Sequence, residues 1–331
     1  MLLRIFRGNG PGVIVMIVLT LLAVWASAFI KLQRHFSLYF DLDPMPLYGL
    51  LSAIIGTNPF PGIIFTIFLV SLLAFSLVNL NTSLFFINER TYLPALFYIL
   101  LSGLFPQYQL MNPAIFAAMF LMVAIKKIMD TYRVPGIAYN FFDAGILIGT
   151  GSLFYAGLIW FGLILIVGMA LLRTWDIREI AIALVGLLTP YVITFGIYYL
   201  LDKDLRSLFS VMEYNLFGKT SIYAIARLAS VTLAFFGIVT LIAFLDLWRV
   251  MNIKKIKSRK TFYLLLWIFL ISLLMFIIMK SISVEIVWLA GIPASYLLAH
   301  YFVFVKKKWI PDIIFSLLFI LIALIQILYI I

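Results

Sequence analysis

The residues best suited to chemistry lie in one long connection near the amino terminus, between residues 31 and 60. Asp41 and Asp43 lie there with one residue between them, and Pro44 follows Asp43. Either carboxylate could act as a general base, and two acids at this spacing could share a divalent cation through their oxygen atoms. Solvated loop acids and a turn cap before the proline are the alternative interpretations. We take both aspartates as candidate catalytic residues.

Basic side chains in or beside this connection, and in a second long connection after residue 201, could hold a phosphate group. These candidates are Lys31, Arg34, His35, Arg206 and Arg227. Glycosyl transfer passes through oxocarbenium-like charge, so it needs a carboxylate that activates the acceptor and a cation that holds the departing phosphate. The acids and the bases together therefore fit transfer of a sugar from a phosphate carrier.

The elements that must position these residues are membrane helices. Of the 331 residues, 65% are hydrophobic and only 11% are charged, which excludes an ordinary soluble domain. Apolar runs of about 17 to 25 residues recur along the chain, each long enough to cross the bilayer as a helix, and β-barrel alternation is absent. The sequence predicts an all-α, polytopic membrane protein with one integral membrane domain over residues 1–331.

Eleven membrane spans are predicted. They are 12–30, 61–80, 91–106, 110–125, 137–153, 154–172, 179–201, 226–248, 261–280, 285–305 and 311–331. With a cytoplasmic amino terminus, 17 of the 24 basic residues fall in inner loops, which the positive-inside rule favours for an N-in, C-out protein. We therefore attribute the net charge of +11 to basic residues that set the orientation of the helices and face anionic lipid head groups. No nucleic-acid partner is expected.

Two outer connections stand out by their length, 31–60 and 202–225. They divide the chain into a seven-helix module over 1–201 and a second part over 202–331 with four further helices. Apolar residues at helical spacing between Leu205 and Phe217 predict a helix in the outer interface. The run that follows Pro44 and Pro46 predicts a second such helix. We expect the two helices to cover one outer cavity.

The spans 91–106 and 110–125 are short, and prolines interrupt or border both of them. Pro94 lies inside the first, Pro106 ends it, and Pro113 starts the second. Interrupted membrane helices leave backbone groups that only protein or a wet cavity can satisfy. We therefore expect these two helices to line the cavity.

A few polar residues fall inside predicted helices. Asn140 and Asp143 lie in the fifth, where a carboxylate is costly and suggests a function; pairing with a neighbouring residue is the alternative. Gly145 and Gly149 form a G-x-x-x-G pattern that favours close helix packing. Glu285 follows a short outer turn and is expected to pair locally with Lys280.

No metal site of the zinc type is predicted. The chain has no cysteine and only two histidines, so thiol catalysis, disulfides and thiolate ligands are excluded. A divalent cation at the two aspartates is the one cofactor that the sequence leaves open.

The chain also shows two resemblances to known groups of proteins. The segments at 84–107, 111–128 and 141–160, which read LFFINERTYLPALFYILLSGLFPQ, MNPAIFAAMFLMVAIKKI and FFDAGILIGTGSLFYAGLIW, resemble uncharacterised inner-membrane proteins of Bacteroidota. That likeness implies a Gram-negative inner membrane and no activity. The layout of helices and outer loops is similar to the glycosyltransferase-C membrane module, whose catalytic acid lies in the first outer loop, and Asp41 and Asp43 match that position.

The sequence thus predicts a membrane glycosyltransferase that takes a sugar from a polyprenyl-phosphate carrier at the periplasmic face. A lipid or small-molecule transporter is the first alternative, because it would suit the broken helices and Asp143. A non-catalytic subunit of a cell-envelope assembly is the second. Membrane lipids are the expected partners, and the sequence does not identify protein partners, the sugar or the acceptor.

Overall fold

The computed structural model describes residues 2–8, 10–31, 43–55, 59–84, 87, 89–132, 139–172, 177–218, 227–305 and 309–331. Within these ranges the chain is helical and forms no strand. The α-helices are α1 (Leu2–Phe6), α2 (Pro11–Ile30), α3 (Pro46–Ile55), α4 (Pro59–Leu84), α5 (Leu93–Ser102), α6 (Pro113–Asp130), α7 (Tyr139–Ser152), α8 (Leu163–Leu172), α9 (Ile177–Leu200), α10 (Leu205–Glu213), α11 (Arg227–Val250), α12 (Ile256–Ile278), α13 (Val287–Phe304) and α14 (Trp309–Ile330).

Every predicted span overlaps one of these helices, but the helices differ in length. Seven of those described, α2, α4, α9, α11, α12, α13 and α14, are long and apolar enough to cross a membrane. The helix α5 has ten residues, which is about 15 Å and half of the hydrocarbon layer. The all-helical class and the long apolar helices are thus confirmed, whereas the count of eleven crossings stays a prediction.

The centre of the bundle is formed by α5 and α13. All ten residues of α5 are buried, and α13 is buried along nearly its whole length. Both helices are apolar on every face, which is the pattern of a helix enclosed by other helices. Phe97 of α5 packs on Phe302 of α13 with ring centroids 4.8 Å apart, and the Tyr98 hydroxyl donates to the Trp288 carbonyl at 3.1 Å. The helices α2, α4, α6, α11 and α12 pack against this pair.

A buried turn, residues 103–112, joins α5 to α6. Most of its residues are enclosed by protein, so its polar groups need partners within the bundle. The Gln326 side-chain amide donates to the Gly103 carbonyl at 2.7 Å, and that of Gln109 donates to the Val24 carbonyl at 3.0 Å. Ser27 hydrogen bonds to both glutamine side chains. This network ties α2 and α14 to the turn.

The contacts gather the connections into two groups. Segments that are predicted to lie on the outer side form hydrogen bonds with one another. These bonds run from Tyr48 Oη to Met111 O (2.9 Å), from Leu47 N to Leu153 O (3.2 Å), from Asn215 Nδ2 to Asp43 O (2.7 Å) and from Ser281 Oγ to Leu216 O (2.7 Å). Segments predicted to be inside also meet: Arg7 Nη2 donates to Phe302 O at 2.8 Å, Lys254 Nζ lies 4.3 Å from the Phe304 ring centroid and Lys260 Nζ lies 5.6 Å from that of Tyr132. The direction of these two faces in a membrane stays a prediction.

The G-x-x-x-G pattern marks the closest helix contact of the described chain, between α7 and α9. A Cβ atom added at Gly145 would lie 2.5 Å from a backbone oxygen of α9, and one at Gly149 would lie 2.4 Å from another. On the facing helix, a Cβ atom at Gly186 would lie 2.4 Å from the Phe142 carbonyl oxygen. The two backbones approach so closely because all three positions lack a side chain. The packing interpretation of the pattern is confirmed.

Valine at Gly186 should destabilise the protein, because its Cβ cannot fit without separating the two backbones. Overpacking of this kind costs about 1–3 kcal/mol. Gly196 is the matched control, since it lies on the same helix and nothing lies within 4 Å of an added Cβ. In detergent, the thermal unfolding midpoint should fall for Gly186→Val and change little for Gly196→Val. Equal falls in the two variants would contradict the close α7–α9 contact.

The predicted orientation can be checked by cysteine labelling, because the chain has no cysteine of its own. Ser207 on α10 and Asn252 between α11 and α12 are both exposed. In spheroplasts, Ser207→Cys should react with a membrane-impermeant maleimide, and Asn252→Cys should react only after lysis. The reverse pattern would invert the predicted topology.

Candidate functional site

The two predicted surface helices are present, and the segment at the start of the first contacts the second. The first is α3, and the second is α10 continued by the π-helical turn Tyr214–Gly218. Leu208 and Met212 of α10 are buried with Met45, which precedes α3. The Asn215 amide donates to the Asp43 carbonyl at 2.7 Å, so the two segments form one unit, which we call the outer cap.

The outer cap is attached to the connection between α12 and α13. Ser281 of this connection donates its hydroxyl hydrogen to the Leu216 carbonyl at 2.7 Å. The cap also contacts the turn between α7 and α8, where the Trp160 ring packs edge to face on the Phe217 ring. The α12–α13 connection then enters a short 3₁₀ turn, Val284–Ile286, that is buried and packs against α12 and α13. This arrangement encloses a carboxylate at the top of α13.

That carboxylate belongs to Glu285, whose side chain is only 3% exposed. It borders a small cavity of about 10 Å³, close to the space that one oxygen atom occupies. The other polar residues around this cavity are Ser102, Tyr108 and Asn112. We call this cavity the Glu285 pocket.

Asn112 gives the Glu285 pocket a hydrogen-bond donor. Its Oδ1 accepts the Ala114 N–H at 2.8 Å and thereby caps α6. The residue is fully buried, and its Nδ2 makes no hydrogen bond to the described residues. The pocket therefore combines an amide donor with a carboxyl group.

A large apolar groove adjoins the Glu285 pocket. The groove has a volume of about 380 Å³ and lies between α11 and α12, with α13 as its floor. Leu101, Val284 and Val287 line both the groove and the pocket, so the two spaces are contiguous. Gly237 and Ala234 of α11 keep the groove wide, because no bulky side chain projects from them. We call it the α11–α12 groove.

A second, smaller groove of about 170 Å³ lies on the other side of α11, against α14. Leu228, Ile325 and Leu328 give it an apolar lining. Lys31 lies beside it, since its ammonium nitrogen is 5.2 Å from the centroid of the Tyr329 ring, which also lines the groove. Arg227 is the residue before Leu228 and is exposed. The α11–α14 groove is thus apolar inside and cationic at its edge.

The 3₁₀ turn Pro106–Tyr108 separates the two sites. Gln107 lines the α11–α14 groove, and Tyr108 lines the Glu285 pocket. Burial raises the pKa of the Tyr108 phenol, a hydrogen bond with the Gln107 side chain lowers it, and the charge of Glu285 raises it further. Because the net shift is upward, the phenol stays protonated near neutral pH. A short polar row therefore runs between the two apolar grooves.

The predicted site residues are distributed unevenly over this arrangement. Lys31 and Arg227 come together at the α11–α14 groove, whereas Arg206 lies apart, in the first turn of α10, where its backbone N–H is capped by Asp204 at 2.9 Å. Asp43 is exposed and lines none of these three cavities. Asp41, Arg34 and His35 lie outside the described residues.

The expectation of one cavity beneath α3 and α10 stays a prediction, because parts of both outer connections lie outside the described residues. Within the described ranges, Met45 and Leu47 pack with Leu208 and Met212 of α10 and with Leu153, which follows α7. The three cavities described above are lined by the 101–112 region and by α11 to α14. The interrupted segments border the Glu285 pocket through Leu101, Ser102, Phe105 and Asn112, and their expected place around the cavity beneath α3 and α10 stays a prediction.

The intramembrane carboxylate at Asp143 has a partner. Its Oδ2 accepts a hydrogen bond from Lys127 of α6 at 2.8 Å, and both side chains are about two-fifths exposed. Asn140 lies one turn earlier on α7 and is partly exposed. Neither residue borders one of the three cavities. The pairing interpretation accounts for Asp143.

No group of three or more potential metal ligands occurs among the residues that the structure describes. The proposed cation at Asp41 and Asp43 would involve a residue outside those ranges.

The sequence did not indicate Glu285 and Asn112 as site residues. Glu285 stands next to Lys280 across a turn, a pattern that indicates an ordinary surface pair. Its burial comes from packing of the turn Val284–Ile286 beside the 101–112 region, whose residues Leu101, Phe105 and Tyr108 surround the same pocket. The one sequence signal was the cluster of prolines around 94–113, which indicated irregular backbone inside the bundle.

The Lys127–Asp143 pair should couple weakly in a double-mutant cycle. Partly exposed ion pairs contribute about 0.2–1 kcal/mol, because solvent screens them. We expect Lys127→Met, Asp143→Asn and the double variant to give a coupling in this range when thermal unfolding is measured in detergent. Coupling near zero would contradict a stabilising contribution from this pair.

The chain was also compared with known proteins. A family of unknown function, DUF6427, matches residues 44–330. Neither a curated protein nor a solved structure is significantly similar to the chain. Because the match covers most of the sequence, the chain belongs to this family.

Proposed function

We propose that this member of the family is a membrane glycosyltransferase that takes a sugar from a polyprenyl-phosphate carrier. The reaction would occur at the outer face of a bacterial inner membrane, in a layout of the glycosyltransferase-C kind. The α11–α14 groove carries this proposal, because it joins an apolar channel to two cationic side chains. An isoprenoid chain needs the first feature, and its phosphate needs the second.

Lys31 and Arg227 would hold the donor phosphate. Both are exposed beside an apolar groove, so they can meet a head group while the chain lies between helices. The first turn of α11 adds the positive end of a helix dipole at the same place, which favours anions. Arg34 and His35 could join this set from the segment between α2 and α3.

The shape of the grooves favours an enzyme over a transporter. The α11–α12 groove is lined along α11 from Ser230 to Thr240, a length of about 15 Å, or half of the hydrocarbon layer. A lipid transporter needs a polar path through both leaflets. Asp143, the residue that suggested transport, is paired with Lys127 and lies away from both grooves.

Asp41 and Asp43 of the first loop would also take part in the proposed reaction. Asp43 belongs to the outer cap, on the same face as Glu285, and Asp41 precedes it by two residues. They could bind a divalent cation that neutralises the sugar-linked phosphate.

Removal of the two cations should weaken binding of a polyprenyl phosphate. At about 1 kcal/mol for each cation at the interface, Lys31→Ala with Arg227→Ala should bind about 30-fold more weakly. Arg206→Ala is the matched control, because Arg206 is also an exposed arginine on this face but is remote from the groove. Native mass spectrometry of the detergent-purified protein with added polyprenyl phosphate measures the effect.

An unchanged affinity in the double variant would overturn the assignment of these two residues. An equal loss in Arg206→Ala would show that the face attracts phosphate without a specific site.

A further inference from the structure

We infer that the α11–α12 groove and the Glu285 pocket bind the acceptor, a hydroxyl-bearing lipid, and that Glu285 takes the proton of this hydroxyl. The binding site is inferred from the cavity itself. The catalytic role of Glu285 rests on the proposed glycosyltransferase function.

The groove selects a hydrocarbon chain. Its lining comprises Gly237, Ala234, Phe236, Phe269, Phe276 and other mainly apolar residues. Ala234 and Gly237 are exposed on a helix that is long and apolar enough to cross the membrane, so lipid has direct access from the side. A groove of about 380 Å³ accepts part of one chain, and the rest of the chain would lie in the bilayer.

The Glu285 pocket selects the head group. A hydroxyl both donates and accepts a hydrogen bond, and the pocket offers one partner of each kind. The Glu285 carboxylate would accept the hydroxyl hydrogen, and Asn112 Nδ2 would donate to the hydroxyl oxygen. The buried Asn112 amide makes no other hydrogen bond to the described residues, and such a group gains most from a partner.

A phosphate would not fit the same pocket. The space of about 10 Å³ matches one oxygen atom, whereas a phosphate has four. The buried carboxylate would also repel an anion. The two grooves therefore differ in the charge at their ends. The α11–α14 groove ends at cationic side chains, and the α11–α12 groove ends at a carboxyl group.

On the proposed glycosyltransferase function, the step would run between the two sites, whose linings adjoin at Gln107 and Tyr108. The acceptor hydroxyl oxygen forms a bond to the anomeric carbon of the sugar, and the bond from that carbon to the phosphate oxygen breaks. The hydroxyl proton passes to the Glu285 carboxylate, and the electron pair of the broken bond leaves with the polyprenyl phosphate. Transfer of that proton to water then restores the carboxylate.

Photolabelling of the full-length protein tests the inference. The protein is placed in phosphatidylcholine nanodiscs with either a diazirine-bearing C16 alcohol or the matching C16 phosphate monoester. Labelled peptides are then identified by mass spectrometry. We expect the alcohol to label α12 and the Ser230–Thr240 part of α11, and the phosphate to label α14. Equal labelling of the α11–α12 groove by both probes would overturn the head-group assignment.

Two pairs of variants sharpen the test. Gly237→Trp fills the groove from a position with nothing within 4 Å of an added Cβ, and Gly196→Trp on α9 is its control for the same reason. Alcohol labelling should fall at least tenfold in the first variant and be unchanged in the second. Equal labelling in Gly237→Trp and the unmodified protein would overturn the groove assignment.

The second pair of variants compares Glu285 with another carboxylate on the same predicted face. Glu285→Gln should lower alcohol labelling of the groove at least fivefold, while Glu213→Gln, at an exposed carboxylate of α10, should leave it unchanged. Unchanged labelling in Glu285→Gln, or an equal loss in Glu213→Gln, would refute the inference. That result would leave the donor site at Lys31 and Arg227 intact, whereas failure of the polyprenyl phosphate test would leave the alcohol site intact.

Discussion

The structure depends on a constraint of the membrane interior, where each backbone polar group needs a partner within the protein. The buried turn between α5 and α6 meets this constraint with side chains. Gln109 reaches a carbonyl of α2, and Gln326 of α14 reaches the carbonyl of Gly103. The first and last long helices of the described chain are thereby fixed to its centre, although they are far apart in sequence.

The same turn brings polar side chains into the interior of the bundle. Because α5 stops after ten residues, polar side chains of the turn and of the start of α13 lie together inside the protein. A full-length helix would have filled this space with apolar residues. The short helix thus places Asn112, Tyr108 and Glu285 between two grooves that open toward lipid. The proposed donor and acceptor sites are consequences of this one interruption.

Much of this architecture could be predicted from the sequence. Apolar runs indicated the positions of the helices, the G-x-x-x-G pattern indicated the α7–α9 contact, and helical spacing indicated α3 and α10. The burial of Glu285 could not be predicted, because the residues around it, such as Leu101, Phe105 and Asn112, come from a segment that is distant in sequence. The D-x-D pattern attracted attention by spacing alone, and the exposed Asp43 shows that spacing does not determine which cavity a carboxylate reaches.

The central claim is that α11 separates two lipid-binding grooves on either side of the buried turn. An electron cryomicroscopy map of the protein in lipid nanodiscs tests this claim most directly. We predict elongated chain density beside Gly237 on one side of α11 and beside Leu328 on the other, with a polar end near Glu285 only in the first. Contact of α11 with α12 along Ser230–Thr240, with no room for a chain between them, would contradict it.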